Sequence, residues 1–182
     1  LTSCNNKKFH INGNITEAQD SMLYLENISL NGPVKIDSVK LGEDGAFAFD
    51  EAAMDSVTPE FYRLRIANQT INLSIDSTET VKVKAAYPQM SFKYEVEGSE
   101  NCNKIKELSL KQMTLQNNIN GLVKDPNIGN DSIESIVGRM LQAYKQDIKT
   151  NYIFKEPMKA YAYYSLFQTV QLGNVNTLIF NP

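Results

Sequence analysis

From Phe9 to Val96, apolar residues return at every second position in short runs separated by turn residues. A period of two puts successive side chains on opposite faces, so this half of the chain is restricted to short β-strands. Phe9, Ile11 and Ile15 share one face around Gly13, and Leu23 and Leu25 alternate in the next run. Val34 and Ile36 lead into Asp37-Ser38-Val39-Lys40-Leu41, after which Gly42-Glu43-Asp44-Gly45 supplies a tight turn. Asp-Gly tolerates the positive φ that hairpin turns require, so Ala46-Phe47-Ala48-Phe49 is expected back as the partner strand. Tyr62-Leu64-Ile66, Ile71-Leu73-Ile75, Val81-Val83-Ala85 and Phe92-Tyr94-Val96 extend the series. Runs this short and closely spaced predict an antiparallel β-sandwich or meander, not a parallel α/β sheet.

After Gly98 the period lengthens. Ser99 can cap a helix reaching about Asn120, with Ile105, Leu108, Leu115, Ile119 and Leu122 on one face. Asp125 to Asn130 reads as a loop, and Asp131-Ser132-Ile133-Glu134 as a capping-box start. Ile133, Ile136, Val137, Met140, Leu141, Tyr144 and Ile148 then recur at helical spacing. A third helix is expected from Pro157, in the tolerated first position, to Leu172 before Gly173. The fold class expected is therefore α+β, an N-terminal β-sandwich followed by a C-terminal helical segment. The boundaries are 1–8 for a tether, 9–98 for the sandwich and 99–182 for the helices.

Charge narrows the partners. With a formal net charge of -3, the chain lacks the cation excess that neutralises phosphates, and no nucleic-acid partner is expected. No stretch approaches the roughly 20 apolar residues that span a bilayer. Leu1-Thr2-Ser3-Cys4, an aliphatic residue and two small ones before a cysteine, resembles a bacterial lipobox. It implies lipidation at Cys4, a charged and apolar leader upstream, and a short polar tether from Asn5 to Lys8. Acylation would fix the chain to a lipid bilayer in the cell envelope, on the periplasmic side or the outer-membrane surface.

Further residues carry a family resemblance. Phe9-x-Ile11-x-Gly13-x-Ile15, Leu23-Tyr24-Leu25, Ile36-Asp37-Ser38-Val39 and Asp44-Gly45-x-Phe47-x-Phe49 resemble the DUF4369-like N-terminal domain of unknown function found in Bacteroidetes envelope proteins. Pro59-x-Phe61-Tyr62, Val81-Lys82-Val83 and Val96-x-Gly98-Ser99 fit the same pattern. In that family the domain precedes a thioredoxin-like domain of the ResA/TlpA/AhpC type, in lipid-anchored thiol–disulfide oxidoreductases. The resemblance implies a non-catalytic accessory domain that tethers and positions such a partner domain. This chain has no Cys-x-x-Cys, so the redox centre would belong to a segment after Pro182.

The residues themselves leave rivals open: a free-standing module binding a peptide or glycan, and a thiol enzyme using Cys102. Near the third position of the first helix, the macrodipole would lower the pKa of Cys102, whereas the ordinary reading is a small semi-buried thiol. His10 is the sole histidine, on the strand face opposite Phe9 and Ile11, and neither a zinc site nor a Ser-His-Asp triad is marked. Glu43 and Asp44 read as turn chemistry. No catalytic residue and no cofactor is expected. Tyr161, Tyr163, Tyr164 and Phe167 are candidates for an inter-domain contact. Tyr163 falls outside the stripe shared by Tyr161 and Tyr164, which leaves aromatic surface beyond what the helix needs for its own core. Asp-Ser pairs followed by Met, Val, Thr or Ile are similar to the O-glycosylation sequon of Bacteroides envelope proteins, at Ser21, Ser38, Ser56, Ser77 and Ser132. Asp and Ser also dominate turns and caps.

Overall fold

The computed structural model describes residues 7–54, 58–76 and 78–181. Cys4, Ser56 and Ser77 lie outside the described residues, as do Leu1, Thr2, Ser3 and Pro182. Two compact units divide between Lys104 and Ile105, and the fold is α+β.

The first unit holds eight strands among the described residues: β1 (Lys8–Thr16), β2 (Met22–Ser29), β3 (Gly32–Lys40), β4 (Ala46–Ala52), β5 (Glu60–Ile66), β6 (Gln69–Ile75), β7 (Thr80–Ala86) and β8 (Tyr94–Glu97). They form two sheets ordered β4-β1-β7-β8 and β3-β2-β5-β6. The alternating residues named above turn inward: Phe9, Ile11, Ile15, Leu23, Leu25, Phe47, Phe49, Leu64, Ile71, Leu73, Val81 and Val83 build one buried core between the sheets. Phe9 of one sheet meets Tyr62 of the other at 5.0 Å between ring centroids. The intervening residues face outward, where β7 and β8 set Lys82 opposite Glu97 and Lys84 opposite Glu95.

One pairing departs from the antiparallel expectation. β1 runs parallel to β7, Ile11 level with Val81 and Gly13 with Val83. Gly13 adopts φ +151, a conformation in which a Cβ would point at β7 and stand 1.7 Å from the Val83 carbonyl oxygen, which restricts the position to glycine. The Asp-Gly turn forms as expected: Gly45 has φ +67 and the Asp44 carboxylate accepts from the Ala46 N–H at 3.0 Å. Phe92 is not in a strand. Pro88 opens a 3-10 turn over Tyr87–Gln89, whose Gln89 carbonyl takes the N–H groups of Phe92 and Lys93, so β8 starts only at Tyr94.

The helix α1 (Glu100–Lys124) is followed by α2 (Asn130–Ile148), a π-helical turn over Lys149–Ile153, α3 (Ala160–Leu166), and the hairpin strands β9 (Thr169–Leu172) and β10 (Val175–Leu178). Val137, Tyr144 and Ile148 are buried on α2, as the helical spacing requires. The capping box does not form. Gly129 is the N-cap of α2 with no side-chain bond to it, which places Glu134 too far along the helix to reach back. The third helix is also shorter than expected, since Pro157 precedes it and it ends before Gln168. β-branched Thr169 and Val170 favour a strand, and Gly173, at φ +61, turns the chain so that Leu172 pairs with Val175. Glycine here marks a hairpin and not a helix end.

Candidate functional site

Ser99 caps α1 as its position predicts: its Oγ accepts from the Cys102 N–H at 3.1 Å. The cap sets the Cys102 side chain inward, where its relative exposure is 0% and its thiol donates to the Ser74 carbonyl oxygen at 3.2 Å. Burial pushes the thiol pKa up, against the lowering effect of the Ser99 and Ser74 hydrogen bonds. Removal from water, with the nearby Glu79 charge, disfavours the thiolate here more than the Ser99 and Ser74 hydrogen bonds favour it. His10 projects from the outer face of β1 to the Asp50 carboxylate, both exposed. Among the described residues no three His, Cys, Asp or Glu side chains come together as a metal site.

The aromatic residues of α3 and its C-cap Phe167 divide into two sets. Tyr161 is buried, its hydroxyl donating to Glu156 at 2.6 Å and its ring edge-on to Tyr152 at 6.3 Å. Tyr164 is half-buried and its hydroxyl lies 3.2 Å from the Ser109 hydroxyl of α1. Tyr163 and Phe167 point the other way, with relative exposures of 44% and 54%. Spaced by one helical turn, their rings meet at 4.9 Å. Phe154, Met158 and Leu166 nearby in sequence are exposed as well. Tyr163 and Phe167 together form an exposed aromatic pair on the surface of the C-terminal unit.

That pair sits on a braced platform. The buried Tyr144 hydroxyl of α2 donates to Gln168 Oε1 at 2.7 Å, and Gln168 Nε2 donates to the Leu108 carbonyl of α1 at 2.9 Å. Burial pushes the Tyr144 and Tyr152 hydroxyls above the ordinary phenol range, and Tyr152 donates to Glu107 at 3.0 Å. Gln112 and Gln116, one turn apart on α1, bond the backbone of β9: Gln112 Nε2 to the Thr169 carbonyl, and Gln116 in both directions with Gln171. Between α1 and α2 an open groove of about 490 Å³ is lined by Leu110, Thr114, Met140 and Ala143, with the Lys111–Asp147 ion pair at 2.8 Å on its wall.

A charged cluster that alternation does not announce lies on the outer face of the β3-β2-β5-β6 sheet. Glu26, 6% exposed, accepts from Arg63 Nε at 2.5 Å and Arg65 Nε at 2.8 Å, and Arg65 lies over the Tyr24 ring at 4.6 Å. Burial alone would raise the Glu26 carboxyl, but the two arginines outweigh it and hold the pKa low. The register gives the signal in retrospect, since Glu26 pairs with Arg63 and Tyr24 with Arg65 across β2 and β5. Of the Asp-Ser positions, Ser21 and Ser38 are half-buried and Ser132 is exposed in the first turn of α2.

A family model described as "Domain of unknown function (DUF4369)" matches residues 9–105, more than half of the chain. No curated protein matches. Among solved structures, the crystal structure of (S)-allantoin synthase aligns at 10% identity over 52% of this chain and 45% of that one, with a TM-score of 0.33. The chain therefore spans under half the length of that structure's chain, and a likeness so shallow carries no argument.

Proposed function

The chain belongs to the DUF4369 family, and on that premise we propose that it is a non-catalytic accessory domain of a Bacteroidetes envelope lipoprotein. In this reading Cys4 is acylated and holds the chain to the bilayer. The C-terminal unit positions a thioredoxin-like thiol–disulfide oxidoreductase domain encoded after Pro182. The observation that carries it is the exposed Tyr163–Phe167 ring pair, displayed on a helix whose other aromatic residues are spent inside the unit. The thioredoxin-like identity of the partner comes from the family resemblance.

The reading assigns Cys102 a packing role. A thiol attacks as its thiolate and needs access to the substrate, and Cys102 has neither in its pocket beside Ser74. The test uses the longer gene product. Its sequence after Pro182 should contain Cys-x-x-Cys in a βαβ context, and that protein should reduce insulin disulfides while residues 1–182 alone do not. A stop codon at that point, or strong glycan binding abolished by Tyr163→Ala, would replace the accessory domain with a free-standing binding module. Turnover by residues 1–182 that vanished in Cys102→Ser would replace it with a thiol enzyme.

A further inference from the structure

We infer that the tip of the β2–β3 hairpin is a membrane-contacting element that dips Leu30 into the lipid surface beside the tether. The inference rests on the lipid-anchor reading of Cys4 and adds which end of the sandwich faces the bilayer and which residues touch it.

Leu30 is fully exposed, at 101% relative accessibility, and occupies a two-residue loop closed by the Ser29–Gly32 pair. The turn is held without it: Ser29 Oγ donates to the Gly32 carbonyl at 2.7 Å and accepts from the Asn31 N–H at 3.2 Å. Positions in such loops are ordinarily Asn, Gly, Asp or Ser, so a bare leucine answers no demand of the turn. Ile28 and Val34 flank it, each more than a third exposed, and together they give the tip an apolar surface.

Strand register fixes where this tip lies. β1 begins at Lys8 opposite Ala52, and its next residue, Phe9, contacts Tyr62 across the core. Tyr62 is level with Asn27 on β2, so β2 ends and its hairpin turns at the same end where β1 begins. The Gly42–Gly45 turn and the 17–21 connection lie at the opposite end. Four residue steps separate Cys4 from Lys8, a reach of about 14 Å at most. A nine-residue strand separates the two ends by about 26 Å. An acylated Cys4 therefore brings the Leu30 end within reach of the bilayer, about a strand's length nearer the anchor than the other end. Basic Lys7, Lys8 and Lys35 share this end with acidic Glu60, Asp76 and Glu79, so no excess of one charge drives the contact and apolar burial of Leu30 carries it.

The chain has no tryptophan, so a single introduced indole reports its surroundings without background. The full chain, made with a free Cys4 thiol, is coupled to a maleimide-headgroup lipid in phosphatidylcholine vesicles; buried Cys102 does not compete. Leu30→Trp should then emit at shorter wavelength than in the uncoupled protein and be quenched by lipids with brominated chains. Glu43→Trp, in the turn at the far end, should show neither effect. If Leu30→Trp misfolds by circular dichroism, Val34→Trp takes its place. Unchanged emission from the tethered hairpin variant, or quenching equal at both positions, overturns the inference. Because the maleimide lipid supplies the tether chemically, this outcome is separate from native acylation, which the intact mass of Cys4 from the native host decides.

Discussion

The Cys102 thiol donates to the Ser74 carbonyl oxygen at 3.2 Å, joining the first turn of α1 to the edge strand β6. The contact makes the cysteine a piece of the sandwich core. In the folded protein Cys102 should resist maleimide at neutral pH and label only when denaturant opens the unit. A thiol held protonated in the folded state but free to ionise in the unfolded one stabilises the fold at low pH, and that contribution fades as pH rises. Stability should therefore begin to fall above about pH 8.5, measured by urea unfolding across that range. Cys102→Ala should remove this component of the slope. Labelling of native Cys102 as fast as a free thiol would contradict the assignment.

Glu26 gives the opposite sign. Its pKa is lowered in the fold, so its contribution is present above the ordinary glutamate range near about pH 4.3 and is lost as pH falls through the folded value. Glu26→Gln should cost about 1.5–3 kcal/mol at neutral pH, the range for hydrogen bonds to charged groups. It should also flatten the acid limb of the stability profile. A variant as stable as the parent at pH 7 would mean that the two arginines are satisfied by water instead.

Gln116 and Gln171 exchange two hydrogen bonds, at 3.0 and 2.7 Å, so that a helix side chain occupies the place of a neighbouring strand. Gln116→Ala should cost about 1 kcal/mol, because both bonds are partly open to water. It should also speed hydrogen exchange at the Gln171 amide selectively. Exchange unchanged at Gln171 would show that β9 holds its place without the glutamine.

What the sequence discloses follows from the range of each signal. Alternation is local, and it located Phe9, Ile11, Leu23, Leu25, Phe47, Phe49, Leu64 and Val83 in the core. The parallel β1–β7 pairing joins residues some seventy positions apart, and alternation cannot say which strand lies beside which. Thr169-Val170 and Gly173-Asn174 carried a hairpin signal that the preceding aromatic helical spacing concealed. At the candidate surface, helical spacing separated Tyr163 from the Tyr161–Tyr164 stripe, and the structure places Tyr163 outward. The exposed partner ring of Phe167, the depth of Cys102 and the Glu26 cluster depend on tertiary placement, which no single window of residues contains.

Tyr163→Ala should shift the stability of residues 1–182 by no more than about 1 kcal/mol, since an exposed ring pair contributes at most that order. A loss of several kcal/mol in thermal unfolding would show that the ring is part of the unit's own core.

The accessory role is tested most directly by hydrogen-exchange mass spectrometry of residues 1–182 beside a longer gene product that carries the proposed thioredoxin-like domain. The account predicts that peptides covering Tyr163 to Phe167 exchange more slowly in the longer protein, and that Tyr163→Ala removes the protection while the sandwich peptides stay unchanged. Identical exchange over α3 in the two proteins would contradict it.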